Sequence, residues 1–178
     1  VNGKEYIVAL TDGVGSLTLF GLANDTYIIN ATFAENDKYL GNVSDDVVLK
    51  VNKISTNISV EFTTPKFVGD DVVITVRLNE SINATVKLRV GSDVYDVAII
   101  DGVGTFVAKG LANDTYSINA TFAGDDDYSG STSEIGELKV NKISTNVTLT
   151  IDHSVINVGD EAVITITLNR SINATVKL

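Results

Sequence analysis

The strongest constraint on the fold is a stretch written twice. Leu22-Ala-Asn-Asp-Thr-Tyr-Ile-Ile-Asn-Ala-Thr-Phe-Ala34 returns 89 residues later as Leu111-Ala-Asn-Asp-Thr-Tyr-Ser-Ile-Asn-Ala-Thr-Phe-Ala123. From Tyr116 onward the residues alternate. Tyr116, Ile118, Ala120 and Phe122 fall on one face, and Ser117, Asn119 and Thr121 on the other. A period of two is the signature of a half-buried β-strand. Its polar face carries Asn119-Ala-Thr121, an acceptor pattern for N-linked sugar.

The duplication extends over nearly the whole chain. Asp12-Gly13-Val14-Gly15 returns as Asp101-Gly102-Val103-Gly104, and Leu49 to Asn57 returns unchanged as Leu138 to Asn146. Ser81 to Leu88 returns unchanged as Ser171 to Leu178, now 90 residues on, so one residue is inserted between Phe62 and Val158. Such a period suits a string of complete domains better than a solenoid of half-units.

Residues 53–140 contain a full set of strand signals. Ile58, Val60 and Phe62 alternate inward, as do Val72, Ile74, Val76 and Leu78, then Ala84, Val86, Leu88 and Val90. Val94 to Ile100 follows, with an Asp101-Gly102 turn expected to close a hairpin. Val103 to Ala108, the stretch from Tyr116, and Glu137 to Val140 complete seven. Seven short strands with turn signals every 8–12 residues are the pattern of an all-β immunoglobulin-like sandwich. On that phase, residues 1–51 are the C-terminal half of one repeat, 52–140 a complete repeat, and 141–178 the N-terminal half of the next. Open half-domains would expose sheet edges. They imply a window on a longer array or, as the alternative, completion by neighbouring chains. The junction Leu138-Lys-Val-Asn-Lys-Ile143 holds no Gly, Pro or Ser spacer, which predicts a stiff connection between units.

Composition narrows the class. Val, Ile and Thr dominate a chain that is 44% hydrophobic, as strands require. A net charge of −10 argues against a nucleic-acid partner, which would need a basic face. The absence of Cys removes disulfides, thiolate metal sites and cysteine nucleophiles. No apolar run is long enough for a membrane span or a signal peptide.

Tyr116 and its equivalent Tyr27 occupy the place where immunoglobulin-like folds carry a tyrosine corner, and Ile118 and Ile29 stand where such folds place a core Cys. These four are read as structural. Together with Gly-Asp-Asp-Val-Val-Ile-Thr-Val at 69–76 and Ala-Gly-Asp-Asp-Asp-Tyr at 123–128, they make the chain resemble bacterial Ig-like (Big) repeats, most of all those of adhesin-like surface proteins of methanogenic archaea. The resemblance covers the whole chain. It implies a cell-surface stalk or fibre and carries no catalytic residues.

Glycosylation is argued separately. Asn24, Asn30, Asn42, Asn57, Asn79, Asn83, Asn113, Asn119, Asn146, Asn169 and Asn173 each begin Asn-X-Ser/Thr, 11 of 16 Asn, where chance placement gives roughly three. Within strands the Asn and the Thr share the outer face, while Ala31, Ala84, Ala120 or Ile58 between them faces inward. An extracellular, cell-surface location follows from that reading.

Other chemistry is thinly supported. The acidic loops Glu35-Asn-Asp37 and Asp125-Asp-Asp127 offer oxygens to Ca²⁺ but lack EF-hand spacing, so solvated turns are the default and no cofactor is expected. His153 is the only His and has no counterpart in the other copy, which argues against catalysis. Lys50, Lys53, Lys139 and Lys142 lie near Asn52 and Asn141 at the junctions, where a Lys–Asn cross-link is conceivable but surface charge is the simpler reading. The expected role is a non-enzymatic spacer in a glycosylated surface fibre, partnered by neighbouring repeats. The alternatives are a repeat that itself binds surface glycans or other cells, and a pilus-like filament built by inter-chain strand exchange.

Overall fold

The computed structural model describes residues 1–178 and contains strands, turns and loops but no helix. Fifteen strands form. The first four are β1 (Asp25–Ile29), β2 (Thr32–Phe33), β3 (Asn42–Val43) and β4 (Val47–Val51). The central stretch holds β5 (Ile58–Glu61), β6 (Lys66–Phe67), β7 (Val72–Leu78), β8 (Ala84–Val90), β9 (Asp93–Ile99), β10 (Val103–Ala108), β11 (Asp114–Gly124), β12 (Ser129–Thr132) and β13 (Gly136–Asn141). The last two are β14 (Val147–Ile151) and β15 (Ile164–Leu168).

The central strands make two sheets over one core. One sheet has the order β10-β7-β5; the other runs β6-β13-β11-β8-β9, with β12 also on β11. Period-two patterning dictates this arrangement. Along β7, Val72, Ile74, Val76 and Leu78 are buried while Val73 and Arg77 face water. On the facing sheet Val86, Leu88, Val90, Ile118, Ala120, Phe122, Leu138 and Val140 do the same, and both sets belong to one apolar cluster. β-Branched side chains suit such a pleated, one-side-buried surface.

Two expectations need correction. The strand expected from Ile54 to Phe62 is regular only over β5, because Ile54 instead forms a parallel bridge to Tyr128. The Asp101-Gly102 turn does not close a ladder. Both residues adopt positive φ (49° and 82°), and a single bridge, Ile100 with Val103, follows. Beyond it the chain changes sheets: β9 pairs with β8, and β10 with β7. Gly104 permits the crossing, since a Cβ there would lie 2.5 Å from the Ala98 carbonyl oxygen. Two short strands, β6 and β12, are additional to the seven expected.

The direction of β6 fixes where the chain enters and leaves the central unit. β6 runs parallel to β13, with Val140 opposite Lys66 and Asn141 opposite Phe67. The chain therefore starts its passage through the unit at one end and departs at the other.

The flanking residues repeat the same pairings in fragments. β1 pairs with β4 in the register of β11 with β13, Tyr27 opposite Leu49 as Tyr116 is opposite Leu138. β14 pairs with β15 as β5 pairs with β7, Leu149 opposite Ile166 as Val60 is opposite Val76. Every buried residue of the chain nevertheless lies between Ile58 and Val140.

Candidate functional site

No concave, charge-bearing site is built into the core. Ser133 is the one buried polar residue, and no buried side-chain nitrogen or oxygen lacks a partner. The candidate surface is the set of Asn-X-Ser/Thr triplets, and it is sorted by what each side-chain amide does.

In the central unit, Asn57 and Ser59, like Asn83 and Thr85, are exposed on the outer face, with Ile58 buried and Ala84 half-buried between them. Asn119 and Thr121 on β11 are half-exposed around buried Ala120, because β8 and β12 flank them. The alternation thus points sequon side chains away from the core.

Four amide nitrogens are engaged. Nδ2 of Asn113 donates to the Val140 carbonyl at 2.7 Å, and Nδ2 of Asn24 donates to Val51 at the same distance. Asn30 donates to Asp46 Oδ1 at 2.7 Å, and Asn79 to Glu80 Oε1 at 3.2 Å. A sugar bonded to Nδ2 of Asn113 would take one of its two hydrogens and crowd the Val140 carbonyl of β13. Asn113 and Asn24 thereby act as side-chain clasps between strands.

The remaining amide nitrogens donate to no protein atom. Asn83 uses its carbonyl oxygen to accept the Asp101 amide at 3.0 Å, steadying the turn. Asn79 and Asn169 accept the amides of Asn57 (2.7 Å) and Asn146 (2.8 Å), and Asn42 accepts that of Val43 at 2.8 Å. Asn57, Asn119, Asn146 and Asn173 make no side-chain hydrogen bond. Part of the Asn content is therefore explained by backbone capping, a role that short polar side chains fill in turns.

The structural residues sit as follows. Tyr116 Oη donates to the Ala112 carbonyl at 3.3 Å and Tyr27 Oη to Ala23 at 3.1 Å. Ile118 is fully buried, whereas its equivalent Ile29 is only half-buried for lack of a facing sheet. Sequence reasoning missed Ser133. Its Oγ accepts the Ala120 amide at 3.0 Å and donates to the Glu134 carbonyl at 2.9 Å. Ser44 repeats this with Ala31 (2.9 Å) and Asp45 (3.0 Å). The recurrence of Ser at matching positions was the signal available, hidden in a polar stretch.

The acidic loops close on themselves. Asp125 Oδ1 accepts the amides of Asp127 (3.0 Å) and Tyr128 (2.8 Å), and Asn36 does the same for Lys38 and Tyr39. The Lys53 ammonium donates to the Asp125 carbonyl, while the Ile54 amide donates to Asp127 O at 2.8 Å. No group of three or more His, Cys, Asp or Glu side chains is placed to hold a metal ion. The loop instead fastens the strand-free lead-in 52–54 to its own domain.

His153 stands on an exposed turn, Nδ1 3.2 Å from Asp152 Oδ2. The Val163 amide, 2.9 Å from Asp152 Oδ1, holds that carboxyl below its ordinary value, helped by His153. Lys50, Lys53, Lys139 and Lys142 are exposed, and no carboxylate is buried beside them to promote a cross-link. No helix is long and apolar enough to cross a membrane. No protein-family model matches the chain, and no curated protein matches it significantly.

Proposed function

We propose that the chain is a piece of a tandem array of immunoglobulin-like, Big-type repeats serving as the non-catalytic, N-glycosylated shaft of an extracellular surface fibre or adhesin. The observation that carries this is the coincidence of register and surface. Flanking copies reproduce the strand pairings of the central unit, and sequon side chains lie on the faces turned away from the core.

Three features support the repeat type. The sheet orders β5-β7-β10 and β9-β8-β11-β13 follow the order A-B-E and C′-C-F-G of that class, seven strands in all beside short β6 and β12. Tyr116 and Tyr27 each hydrogen-bond to the carbonyl four residues upstream, as a tyrosine corner does. Ile118 fills the core where the disulfide of antibody domains would sit. A chain that enters and leaves each unit at opposite ends extends end to end, which suits a shaft. Sugar on the outer faces would also shield sheet edges from lateral pairing.

Site-by-site glycan occupancy of protein from its native cells tests this reading. Sugar is expected on Asn57, Asn83, Asn119 and their equivalents, with Asn24 and Asn113 bare because their amides are committed to strand clasps. Uniformly unmodified Asn would remove the glycosylated fibre and leave an unglycosylated spacer or a binding module.

A further inference from the structure

We infer that residues 141–178 of one copy of this chain dock onto residues 1–51 of a second copy, forming a composite sandwich and hence head-to-tail polymers. The inference rests on the repeat register alone and needs neither sugar nor a cell surface.

The central unit is the template for the interface. Its front part, through Leu88, contributes Ile58, Val60, Ile74, Val76, Leu78, Val86 and Leu88 to the core. The equivalent residues of the C-terminal segment are Val147, Leu149, Ile164, Ile166, Leu168, Val176 and Leu178, all apolar. Its back part contributes Val97, Ile99, Ile118, Ala120, Phe122, Leu138 and Val140. Their counterparts near the N-terminus are Val8, Leu10, Ile29, Ala31, Phe33, Leu49 and Val51. Residues 141–178 and 1–51 together have the 89-residue length of one repeat, with Leu178 and Val1 standing for Leu88 and Val90.

Both halves are already preorganised. The β1–β4 and β14–β15 ladders hold the registers seen in the complete unit, so docking requires no re-pairing. What each half lacks is cover. Leu178 is 81% exposed where Leu88 is fully buried, and Phe33 is 45% exposed where Phe122 is 4%. Contiguous apolar faces of this kind mark association sites.

Geometry selects a second copy over closure within one chain. The two halves leave the central unit from opposite ends through 52–57 and 142–146, and six extended residues reach only about 20 Å. Closure would need both to fold back along the sandwich. A head-to-tail contact between different faces does not close on itself and propagates as a filament. Charge does not oppose the contact. Residues 142–178 carry Lys142, Arg170 and Lys177 against Asp152, Asp160 and Glu161, so the acidic 1–51 meets a balanced partner.

Sedimentation of the 178-residue chain over a concentration series tests the inference. Mass at least twofold that of one chain, rising with concentration, is expected. Ile29→Asp and Ile166→Asp should each abolish polymers while leaving the thermal transition of the central sandwich unchanged. A one-to-one mixture of the two variants retains one intact half of each kind and should form dimers only. A wild-type chain that stays at single-chain mass up to its solubility limit would overturn the inference. So would single-chain mass with slow amide exchange in both terminal halves, since that means closure within one chain. Either result leaves the glycan mapping, and the fibre reading it tests, untouched.

Discussion

Tyr116 to Phe122 and Tyr27 to Phe33 differ at one position in seven, yet they occupy different physical states. In the central unit Ile118 and Ala120 are fully buried beneath the β10-β7-β5 sheet. In the first copy the same ladder forms in the same register, the same Tyr hydroxyl bonds back to the same carbonyl position, and nothing covers the apolar side. Local pairing is therefore encoded locally, whereas burial is encoded by the presence of the other half. A two-stranded ladder without a facing layer is only marginally stable in water, so stability of the chain is concentrated between residues 58 and 140.

The largest test of that contrast is one substitution made twice. Ile118→Asp places an unpaired carboxylate in the central core and should remove on the order of 4 kcal/mol or more, enough to unfold the unit. Ile29→Asp should leave the central thermal transition where it was. Equal losses would mean that the first copy is packed as tightly as the second.

Ser133→Ala comes next. It strips the Ala120 amide of its acceptor inside the sandwich, and a loss of about 1–3 kcal/mol is expected in denaturant melts. Ser44→Ala should not move that transition, since water reaches the equivalent Ala31 amide. Tyr116→Phe removes a single partly exposed hydrogen bond to Ala112 and should cost about 0.5–1.5 kcal/mol.

The smallest effect concerns the β14–β15 hairpin. Asp152 has its folded pKa lowered below 3.8 by the Val163 amide and by His153. A depressed carboxyl stabilises the folded form above its unfolded pKa, and that contribution disappears as pH falls through the folded value. Amide exchange at Val163 should therefore quicken below pH 3.8 relative to an Asp152→Asn chain. A flat difference across that range would show that the hairpin does not depend on the carboxylate.

How far the sequence reaches follows from the same contrast. β7 and β8 were legible because alternation over seven residues has no helical reading. β6 and β12 were not, since two to four residues carry no period. The change of sheets after Gly102 was hidden because a turn signal states how the chain reverses and not which neighbour it pairs with next. The outward direction of Asn83 and Asn119 could be read from strand parity. That Nδ2 of Asn113 is spent on Val140 could not, because its partner lies 27 residues away across a sheet. Ser133 was obscured for the same reason: a hydroxyl becomes a core group only once Ala120 is brought against it.

The short parallel clasp between β6 and β13 has a mechanical meaning. Tension applied along the chain pulls β6 toward the start of the unit and β13 toward its end, so their bonds, with Val68 N to Asn141 O at 2.9 Å and Lys139 N to Thr64 Oγ1 at 3.0 Å, are loaded in shear. Bonds in shear share the load and fail together, whereas an antiparallel hairpin opened from its end peels one bond at a time. Each complete unit would then act as a catch that holds against drag until the whole clasp gives way.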